Sequence, residues 1–599
     1  MEPGIPSVGT FFDNERSALN PHWFPLGSIM IYLMVLIRSA VEPFGDFNGL
    51  DMRFAGRTLS ALADVVSVYI IFLIGRRLFG SRVGLLAAFL LSITVIHVQN
   101  AHYYRPETFL VALTLASFWF MLNIIHDGRQ RDWIFLGIFV GLTFAVKVSV
   151  LPLLLPLALV FGFRVFTRTK GRSGNLFGRQ LFISLRHATV GAGAAILVFL
   201  IITPYAIIDF SEFISDTTWE AGIARVAGKM PYTIQYVGSL PIVYEIKQST
   251  IWALGIPLGL TSWLGVIYAG YSVITRRPTW KPELLLLVWG LSHFLLIGLF
   301  FEVKFLRYLF PIIPLLVLFG SRGLVSFVDA ACRIAKSLVD SRTSNPICRG
   351  ITHYAPHIAI GLVAAVVLST GMYTAGFMGI YSRPHTAVEA SIWINDNVNP
   401  GTTIITDNHW DEGIPELYRY NVVQIPIYES DSDSKMRSLS HDLARAKYLV
   451  FYSNRTYGSI SRVPELYPQS ANYYHKLFSG ELGYGLDRVF TSYPQVLGVT
   501  WKNDTFDRAM LPTPDLMRES SSTGITLNLG YADENVVNYD HPAVLLFHND
   551  IGLPQHEIYE LLVHTRSERE TGNSLLTADE TQSQRNGGTW SSIVHEDSW

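Results

Sequence analysis

Long apolar runs constrain this chain more than any other feature of its sequence. A helix needs about 20 mostly apolar residues to cross the hydrocarbon core of a bilayer. Runs that reach or approach this length include 83–98, 109–125, 188–204, 284–301 and 357–378. Only 16% of the residues are charged, whereas about 25% is usual for a soluble domain. The sequence therefore predicts a polytopic α-helical membrane protein.

The hydropathy pattern predicts about ten transmembrane helices. Their predicted positions are 57–76, 83–98, 107–126, 132–147, 150–165, 187–207, 252–274, 283–301, 307–328 and 356–379. The connecting loops are alternately rich and poor in Lys and Arg, and loops rich in these residues stay in the cytoplasm. The stretch 97–109, the loop 208–251 and everything after residue 380 are therefore predicted to be extracytoplasmic.

Residues 25–41 are also apolar. Counting them as a further crossing would move the basic loop 75–82 outside and reverse every later loop, against the charge pattern. They are therefore predicted to form a juxtamembrane helix that lies on the outer membrane face or dips into it.

The composition changes near residue 381. Apolar runs shorten there, and helix-like segments such as 385–398 alternate with strand-like ones such as 402–406, a pattern typical of a small α/β domain. The end of the chain is rich in Ser, Thr, Glu, Gln and Gly, which is typical of disorder. The predicted parts are a transmembrane domain (1–380), an extracytoplasmic α/β domain (381–550) and a C-terminal helix with a disordered polar tail (551–599).

Four basic residues fall on the predicted external side, next to or inside apolar runs. They are Arg105, Lys147, Lys304 and Arg307. A charge in the bilayer core costs roughly 2.5–3.5 kcal/mol, so their positions need a reason. Together they suit the phosphate of a lipid carrier, which Arg grips with two hydrogen bonds and Lys attracts as a point charge. Alternatively, each is an anchor at a helix end whose charged group reaches toward water.

Glu107 is the acidic residue of the stretch 97–109. As a general base it could take a proton from an acceptor hydroxyl while a phosphate leaves. It also follows Pro106, so it could simply be a carboxylate in the first turn of a helix, where the helix dipole favours negative charge. The two interpretations are compatible.

Two further residues have weaker cases. His102 has no partner at the spacing of a metal site, so a ligand role is the less favoured interpretation. Asp64 lies within a predicted span, where an acid suggests a functional role; pairing with a neighbouring helix explains it equally well.

Several classes of function are excluded or left without support. A net charge of −2 gives no indication of a nucleic-acid partner. No P-loop, G-x-S-x-G motif or zinc-binding Cys/His spacing is present. The two cysteines, Cys332 and Cys348, lie in a basic loop predicted to be cytoplasmic, where free thiols are usual. Nothing in the sequence demands a metal, although acids at an external face could hold Mg²⁺ or Mn²⁺.

The order of several motifs points to a family. They are "LNPHWFPLGSIMIYL" (19–33), "GRTLSALAD" (56–64), "IGRRLFGSRVGLLAA" (74–88), "HYYRPETFL" (102–110), "PYTIQYVGSLP" (231–241), "KFLRYLFPIIPLL" (304–316) and "YSRPHTAVEASIWI" (381–394). In this order the chain resembles the GT-C membrane glycosyltransferases of the protein O-mannosyltransferase and aminoarabinose-transferase type, over roughly residues 19 to 550.

The resemblance implies an inverting glycosyltransferase, of the hexosyl- or mannosyltransferase kind, at the external membrane face. Its donor would be a polyprenyl-phosphate sugar, and its acceptor a protein, lipid or glycan hydroxyl. Glu107 matches the loop that carries a second acid in the family and would be the base or orient the acceptor. Arg105, Lys304 and Arg307 would contact the donor phosphate, with Lys147 as a further candidate.

The chain departs from the family at its start. Members carry an acidic pair in the first external loop, after a first transmembrane helix, and that helix is not seen here. Asp13 and Glu15 lie nearby but resemble a later part of the loop. The expectation is therefore that a span upstream of Met1 completes the enzyme. The alternatives are a catalytically inactive sugar- or lipid-binding relative and, less favoured because no internal repeat is visible, a transporter or flippase.

Overall fold

The computed structural model describes residues 11–45, 47–169, 174–340, 346–407, 417–519 and 524–564. The chain forms two compact units. The helical unit comprises Met1–His385, Ser492–Asp504 and Ser522–His541, and the α/β unit comprises Thr386–Thr491, Thr505–Ser521 and Pro542–Trp599. The tail predicted to be disordered, residues 566–599, lies outside the described residues.

The helical unit is built from long helices joined by short turns. Its α-helices are Ser28–Val41, Gly49–Phe79, Ser81–Ser92, Val95–Ala101, Pro106–His126, Gln130–Val146, Leu154–Thr169, Gly174–Ile202, Tyr205–Ile208, Phe210–Arg225, Val243–Gln248, Ile256–Ile274, Trp280–Leu295, Ile313–Asp340, Pro346–Met378 and Glu534–Val537. Shorter 3₁₀ or π turns occupy Glu42–Phe44, Val148–Leu153, Pro231–Tyr236, Ser249–Ala253, Leu296–Phe300, Leu306–Ile312 and Gly379–Ser382.

Local sequence signals set the ends of these helices. The Asn48 side chain accepts hydrogen bonds from the backbone N–H groups of Leu50 and Asp51, and the Asp51 carboxylate accepts one from the Asn48 N–H. This reciprocal cap begins the helix Gly49–Phe79 because it satisfies donors that have no partner within the helix. Gly80 follows with a φ of 94°, a conformation that only glycine adopts without strain.

Within the described residues, eight helices are long and apolar enough to cross a membrane. They are Gly49–Phe79, Pro106–His126, Val148–Phe166, Phe177–Ile202, Ile256–Ile274, Trp280–Phe300, Leu306–Leu338 and Tyr354–Asn397. Two other predicted crossings correspond to the pair Ser81–Ser92 and Val95–Ala101, which is bent by 57°, and to the 17-residue helix Gln130–Val146. The predicted helical membrane fold is confirmed, while the number of ten crossings and their direction stay predictions.

Close contacts between helices occur at glycines. A Cβ placed on Gly137 would clash with the carbonyl oxygen of Gly191, so the helices Gln130–Val146 and Gly174–Ile202 pack backbone against backbone. Small residues allow such contact, which is how helices associate in lipid, where the hydrophobic effect contributes little. Elsewhere the core of the unit contains large side chains such as Phe118, Trp289 and Phe310, all fully buried.

The described residues contain eight strands in two sheets. The strands are β1 (Thr403–Thr406), β2 (Asn421–Gln424), β3 (Tyr448–Phe451), β4 (Tyr484–Phe490), β5 (Gln495–Val496), β6 (Val499–Lys502), β7 (Ile525–Asn528) and β8 (Val544–Asn549). The helical unit holds the small sheet β5-β6-β7, in which β5 pairs antiparallel and β7 parallel to β6. The chain therefore returns twice to the helical unit after residue 491.

The α/β unit has a mixed five-stranded sheet in the order β2-β1-β3-β8-β4. β1 runs parallel to β2 and β3, and β8 runs antiparallel to β3 and β4. Its helices are Thr386–Asn397, Asp433–Arg445, Tyr457–Ile460, Pro468–Phe478, Phe506–Ala509, Asp515–Glu519 and Gln555–Val563. The strands β1, β3 and β8 are mostly buried, as expected for a sheet covered by helices. A C-terminal α/β domain is thus confirmed.

Candidate active site

The helical unit contains a cavity of about 290 Å³. Most of its wall is apolar and includes Phe24, Leu110, Phe144, Phe199, Phe213 and Phe301. Its charged or titratable groups are Glu107, Lys147, Glu220, His293, Arg307 and Tyr308. A largely apolar cavity with a few convergent polar groups is the usual form of a small-molecule site. This cavity would suit a ligand that joins an apolar chain to an anionic group.

Three sequence-predicted residues reach this cavity from the ends of different elements. Glu107 lies in the first turn of the helix Pro106–His126, after a proline at its first position. Lys147 immediately follows the helix Gln130–Val146 and has extended backbone geometry. Arg307 is the second residue of the turn Leu306–Ile312. The sequence predicted one acid and four cations for the site, and the structure brings three of these five residues together in the cavity wall.

Glu107 is almost fully buried, with 5% of the residue exposed. Its Oε1 atom lies 3.9 Å from Nζ of Lys147, and its Oε2 atom has no hydrogen-bond partner among the described residues. Buried polar atoms in folded proteins nearly always have a partner. An unpartnered carboxylate oxygen in a cavity wall is therefore available to a ligand hydroxyl.

The cations make contacts that orient their charged groups. The Arg307 guanidinium lies 4.0 Å from the centre of the Phe305 ring and donates a hydrogen bond of 3.2 Å to the Tyr539 hydroxyl. Lys147 Nζ is 5.4 Å from the centre of the Tyr308 ring. Cations are attracted to aromatic faces in this range, and such contacts leave N–H groups free to bind an anion.

Arg105 lies beside the same tyrosine. Its guanidinium is 4.2 Å from the centre of the Tyr539 ring and 5.6 Å from that of Tyr103. It does not line the large cavity, but it lines a small pocket that also includes Arg307. Arg105 is therefore close to the site without being part of the cavity wall.

Lys304 occupies a different environment from the one predicted. Only 3% of the residue is exposed, and Nζ lies 2.7 Å from the carboxylate of Glu245. Nζ also donates to the carbonyl oxygens of Gly298 and Phe301 at 3.0 and 2.9 Å. Burial raises the pKa of Glu245, and the adjacent Lys304 opposes that shift. Because these partners use the ammonium group fully, the geometry fits a structural ion pair rather than a phosphate contact.

The weaker candidates lie outside the cavity. The His102 ring stacks on Tyr381 with ring centres 4.1 Å apart. Asp64 accepts a hydrogen bond of 2.5 Å from Nδ1 of His97, which is the pairing with a neighbouring helix that the sequence left open. Asp13 accepts hydrogen bonds from the backbone N–H groups of residues 15 and 16, while Glu15 itself is exposed.

The cavity also contains a histidine that the sequence analysis did not select. His293 is 4% exposed. Its Nε2 lies 2.9 Å from the carbonyl oxygen of Tyr308 and donates a hydrogen bond to it. Nδ1 has no hydrogen-bond partner within the described part of the chain. The signal was present in the sequence, since a histidine inside an apolar span needs a reason.

Among the residues that the structure describes, one group of side chains could hold a metal ion. Ligand atoms of His22, Asp209 and Glu212 all lie within 4.8 Å of one another. The hydrogen bond to Asp209 raises the pKa of Glu212. Carboxylate oxygens suit Mg²⁺ and Mn²⁺, and imidazole suits softer ions. Binding of Mg²⁺ or Mn²⁺ by acids at the external face stays a prediction.

Part of the chain matches a known family. Residues 47–185 match the model of the dolichyl-phosphate-mannose-protein mannosyltransferases. The chain is 29% identical over 291 residues to undecaprenyl phosphate-alpha-4-amino-4-deoxy-L-arabinose arabinosyl transferase 2 of Pseudomonas fluorescens (strain Pf0-1), covering 44% of this chain and 48% of that protein. It is 28% identical over 239 residues to transferase 1 of strain Pf-5, covering 38% and 39%. The chain thus matches less than half the length of these curated relatives.

Two solved structures are also similar. One is the Archaeoglobus fulgidus oligosaccharyltransferase tethered to an acceptor peptide, with a TM-score of 0.41, 14% identity, and coverage of 76% of this chain and 64% of that one. The other is ArnT from Cupriavidus metallidurans bound to undecaprenyl phosphate, with a TM-score of 0.38, 16% identity, and coverage of 72% and 83%. The sequence matches confirm the resemblance that the motifs indicated.

Proposed function

We propose that this chain, a relative of the GT-C glycosyltransferases of the aminoarabinose-transferase and protein O-mannosyltransferase type, transfers a sugar from a polyprenyl-phosphate carrier to an acceptor hydroxyl. The observation that carries the proposal is the apolar cavity in which Glu107, Lys147 and Arg307 meet. A polyprenyl-phosphate sugar has the two matching parts, an apolar chain and an anionic phosphate. The acceptor would be a protein, lipid or glycan.

In the proposed reaction the acceptor oxygen attacks the anomeric carbon of the sugar. The bond from that carbon to the phosphate oxygen breaks, and its electron pair leaves with the carrier phosphate. Arg307 and Lys147 stabilise the charge that develops on this phosphate, and Glu107 Oε2 takes the proton of the hydroxyl. Attack from the side opposite the leaving phosphate inverts the anomeric configuration.

The donor sugar could be either mannose or aminoarabinose. The matching family model is named for mannose and the curated relatives for aminoarabinose. The purified full-length chain should therefore be incubated with labelled undecaprenyl-phosphate mannose and undecaprenyl-phosphate aminoarabinose, with a lipid or glycan acceptor. Transfer of label from either donor is the expected result. Binding without transfer would instead support the inactive sugar- or lipid-binding relative, and label moved across vesicle membranes would support a flippase.

We also propose that the α/β unit is extracytoplasmic, because the charge pattern of the loops places everything after residue 380 outside. Ser434 is exposed in that unit. Cys332 is an exposed free thiol near the end of the helix Ile313–Asp340, in the stretch that the charge pattern predicts to be cytoplasmic. In a variant that lacks both native cysteines, Ser434→Cys should react with a membrane-impermeant thiol reagent in intact cells. A chain with Cys332 alone is the control and should react only after lysis. The opposite pattern would reverse the topology.

A further inference from the structure

The segment Tyr531–His541 contains three buried acidic residues, Asp533, Glu534 and Asp540. It belongs to the helical unit, although more than a hundred residues of chain separate it from the last long helix of that unit. Asp533 is fully buried and Asp540 is 6% exposed. A buried carboxylate is costly unless several donors compensate it. Asp533 accepts one of its hydrogen bonds from the backbone N–H of the residue before Arg307, and Asp540 accepts one from Tyr103, two residues before Arg105.

Asp533 holds one end of this segment. Its Oδ2 atom accepts hydrogen bonds from the hydroxyls of Tyr236 and Tyr244 at 3.0 and 2.8 Å. Its Oδ1 atom is 3.3 Å from the backbone N–H of Leu306, the residue before Arg307. Burial raises the pKa of Asp533 to about 6, against hydrogen bonds that lower it.

Asp540 holds the other end. It accepts hydrogen bonds from the side chains of Gln99 and Tyr103, which precede Arg105 by a few residues, and one of 2.8 Å from Tyr381. Gln99 also donates to the backbone carbonyl oxygen of Asn535 at 2.7 Å. The segment is therefore fixed beside both Arg105 and Arg307.

Between these two ends the segment contacts the arginines directly. Asn535 Oδ1 accepts a hydrogen bond of 3.2 Å from the backbone N–H of Arg307. The Tyr539 hydroxyl accepts one of 3.2 Å from the Arg307 guanidinium, and the Tyr539 ring lies 4.2 Å from the guanidinium of Arg105. A single tyrosine thus contacts both arginines.

We propose that Tyr539 is a positioning residue, which holds the Arg307 guanidinium in the orientation that receives the donor phosphate. This rests on the proposed function. A free arginine side chain must lose rotamer freedom when it binds a ligand, and that loss weakens binding. Tyr539 removes part of this loss in advance because it fixes the guanidinium before the donor arrives.

The test is a double-mutant cycle on the affinity of the full-length chain for undecaprenyl phosphate. Tyr539→Phe keeps the ring on Arg105 and removes the hydroxyl, so it should raise the Kd by about 3- to 10-fold, the usual effect of one hydrogen bond. Arg307→Ala should raise the Kd by about 10- to 150-fold, because it removes a charge-assisted contact. In the Arg307→Ala chain, Tyr539→Phe should have no further effect, since the group it positions is absent.

The control is Tyr452→Phe in the α/β unit, because Tyr452 is buried and its hydroxyl has no partner among the described residues. This control should leave the Kd unchanged. A Tyr539→Phe chain that binds as tightly as the parent would overturn the positioning role and leave the proposed function intact. The same loss in both backgrounds would also overturn it, because the effect would then be independent of Arg307. A parent chain that does not bind undecaprenyl phosphate would overturn both proposals.

Discussion

Glu107→Gln is expected to lower the rate of sugar transfer by about 100-fold or more, the usual contribution of a positioned general base. Glutamine keeps the shape of the side chain and cannot take a proton from the acceptor. The residue is 5% exposed, and its Oε2 atom has no hydrogen-bond partner in the described chain. The substitution breaks no hydrogen bond of that oxygen, and the charge contact that it removes, with Lys147, is 3.9 Å long, against 2.7 Å for the pair of Lys304 with Glu245. The fold should therefore persist.

The measurement is the initial rate of transfer from a labelled undecaprenyl-phosphate sugar, together with the Kd for undecaprenyl phosphate. The rate should fall while the Kd changes little, because the base acts only when the hydroxyl attacks. Glu220→Gln is the matched control, since Glu220 is the other glutamate that lines the cavity. Transfer at the parental rate by Glu107→Gln would remove it from the mechanism. An equal loss in both variants would show that negative charge in the cavity matters rather than a base at residue 107.

Much of the membrane fold could be predicted because the bilayer admits few solutions. Lipid offers no hydrogen bonds to the backbone, so an apolar run of sufficient length must be a helix. The same physics identified Glu107, Lys147 and Arg307, since a charge near an apolar run needs a partner or a function. All three line one cavity.

The same reasoning could not distinguish Lys304 from Arg307. It lies three residues before Arg307 in the same motif, and both are cations at the start of an apolar run. What separates them is a partner from a distant part of the chain, because Glu245 pairs with Lys304. A sequence pattern indicates that a charge is buried and therefore needs compensation. It does not show which distant residue supplies the opposite charge.

The segment Tyr531–His541 was not recognised for a related reason. Its sequence, "YADENVVNYDH", is polar and reads as an ordinary loop. Its partners are far away along the chain: Gln99 and Asp540, for example, are 441 positions apart. Only the tertiary structure shows that these acids are buried beside the arginines.

Lys304→Met is expected to destabilise the helical unit strongly, by roughly 3–5 kcal/mol, the usual effect of removing one member of a buried ion pair. Methionine fills most of the space of the lysine stem, so the loss comes from charge rather than from a cavity. Glu245 is 2% exposed and would be left buried without its cation. The measurement is the free energy of unfolding in mixed detergent micelles during titration with a denaturing detergent.

The matched variant is Lys304→Met combined with Glu245→Leu, which removes both charges. Replacing a whole buried ion pair with apolar side chains of similar size is often neutral or stabilising. The double variant should therefore recover most of the lost stability, short of the hydrogen bonds that Lys304 donates to the carbonyl oxygens of Gly298 and Phe301. Its affinity for undecaprenyl phosphate should match that of the parent. If Lys304→Met instead keeps its stability and loses that affinity, Lys304 contacts the donor phosphate, as its sequence motif alone predicts.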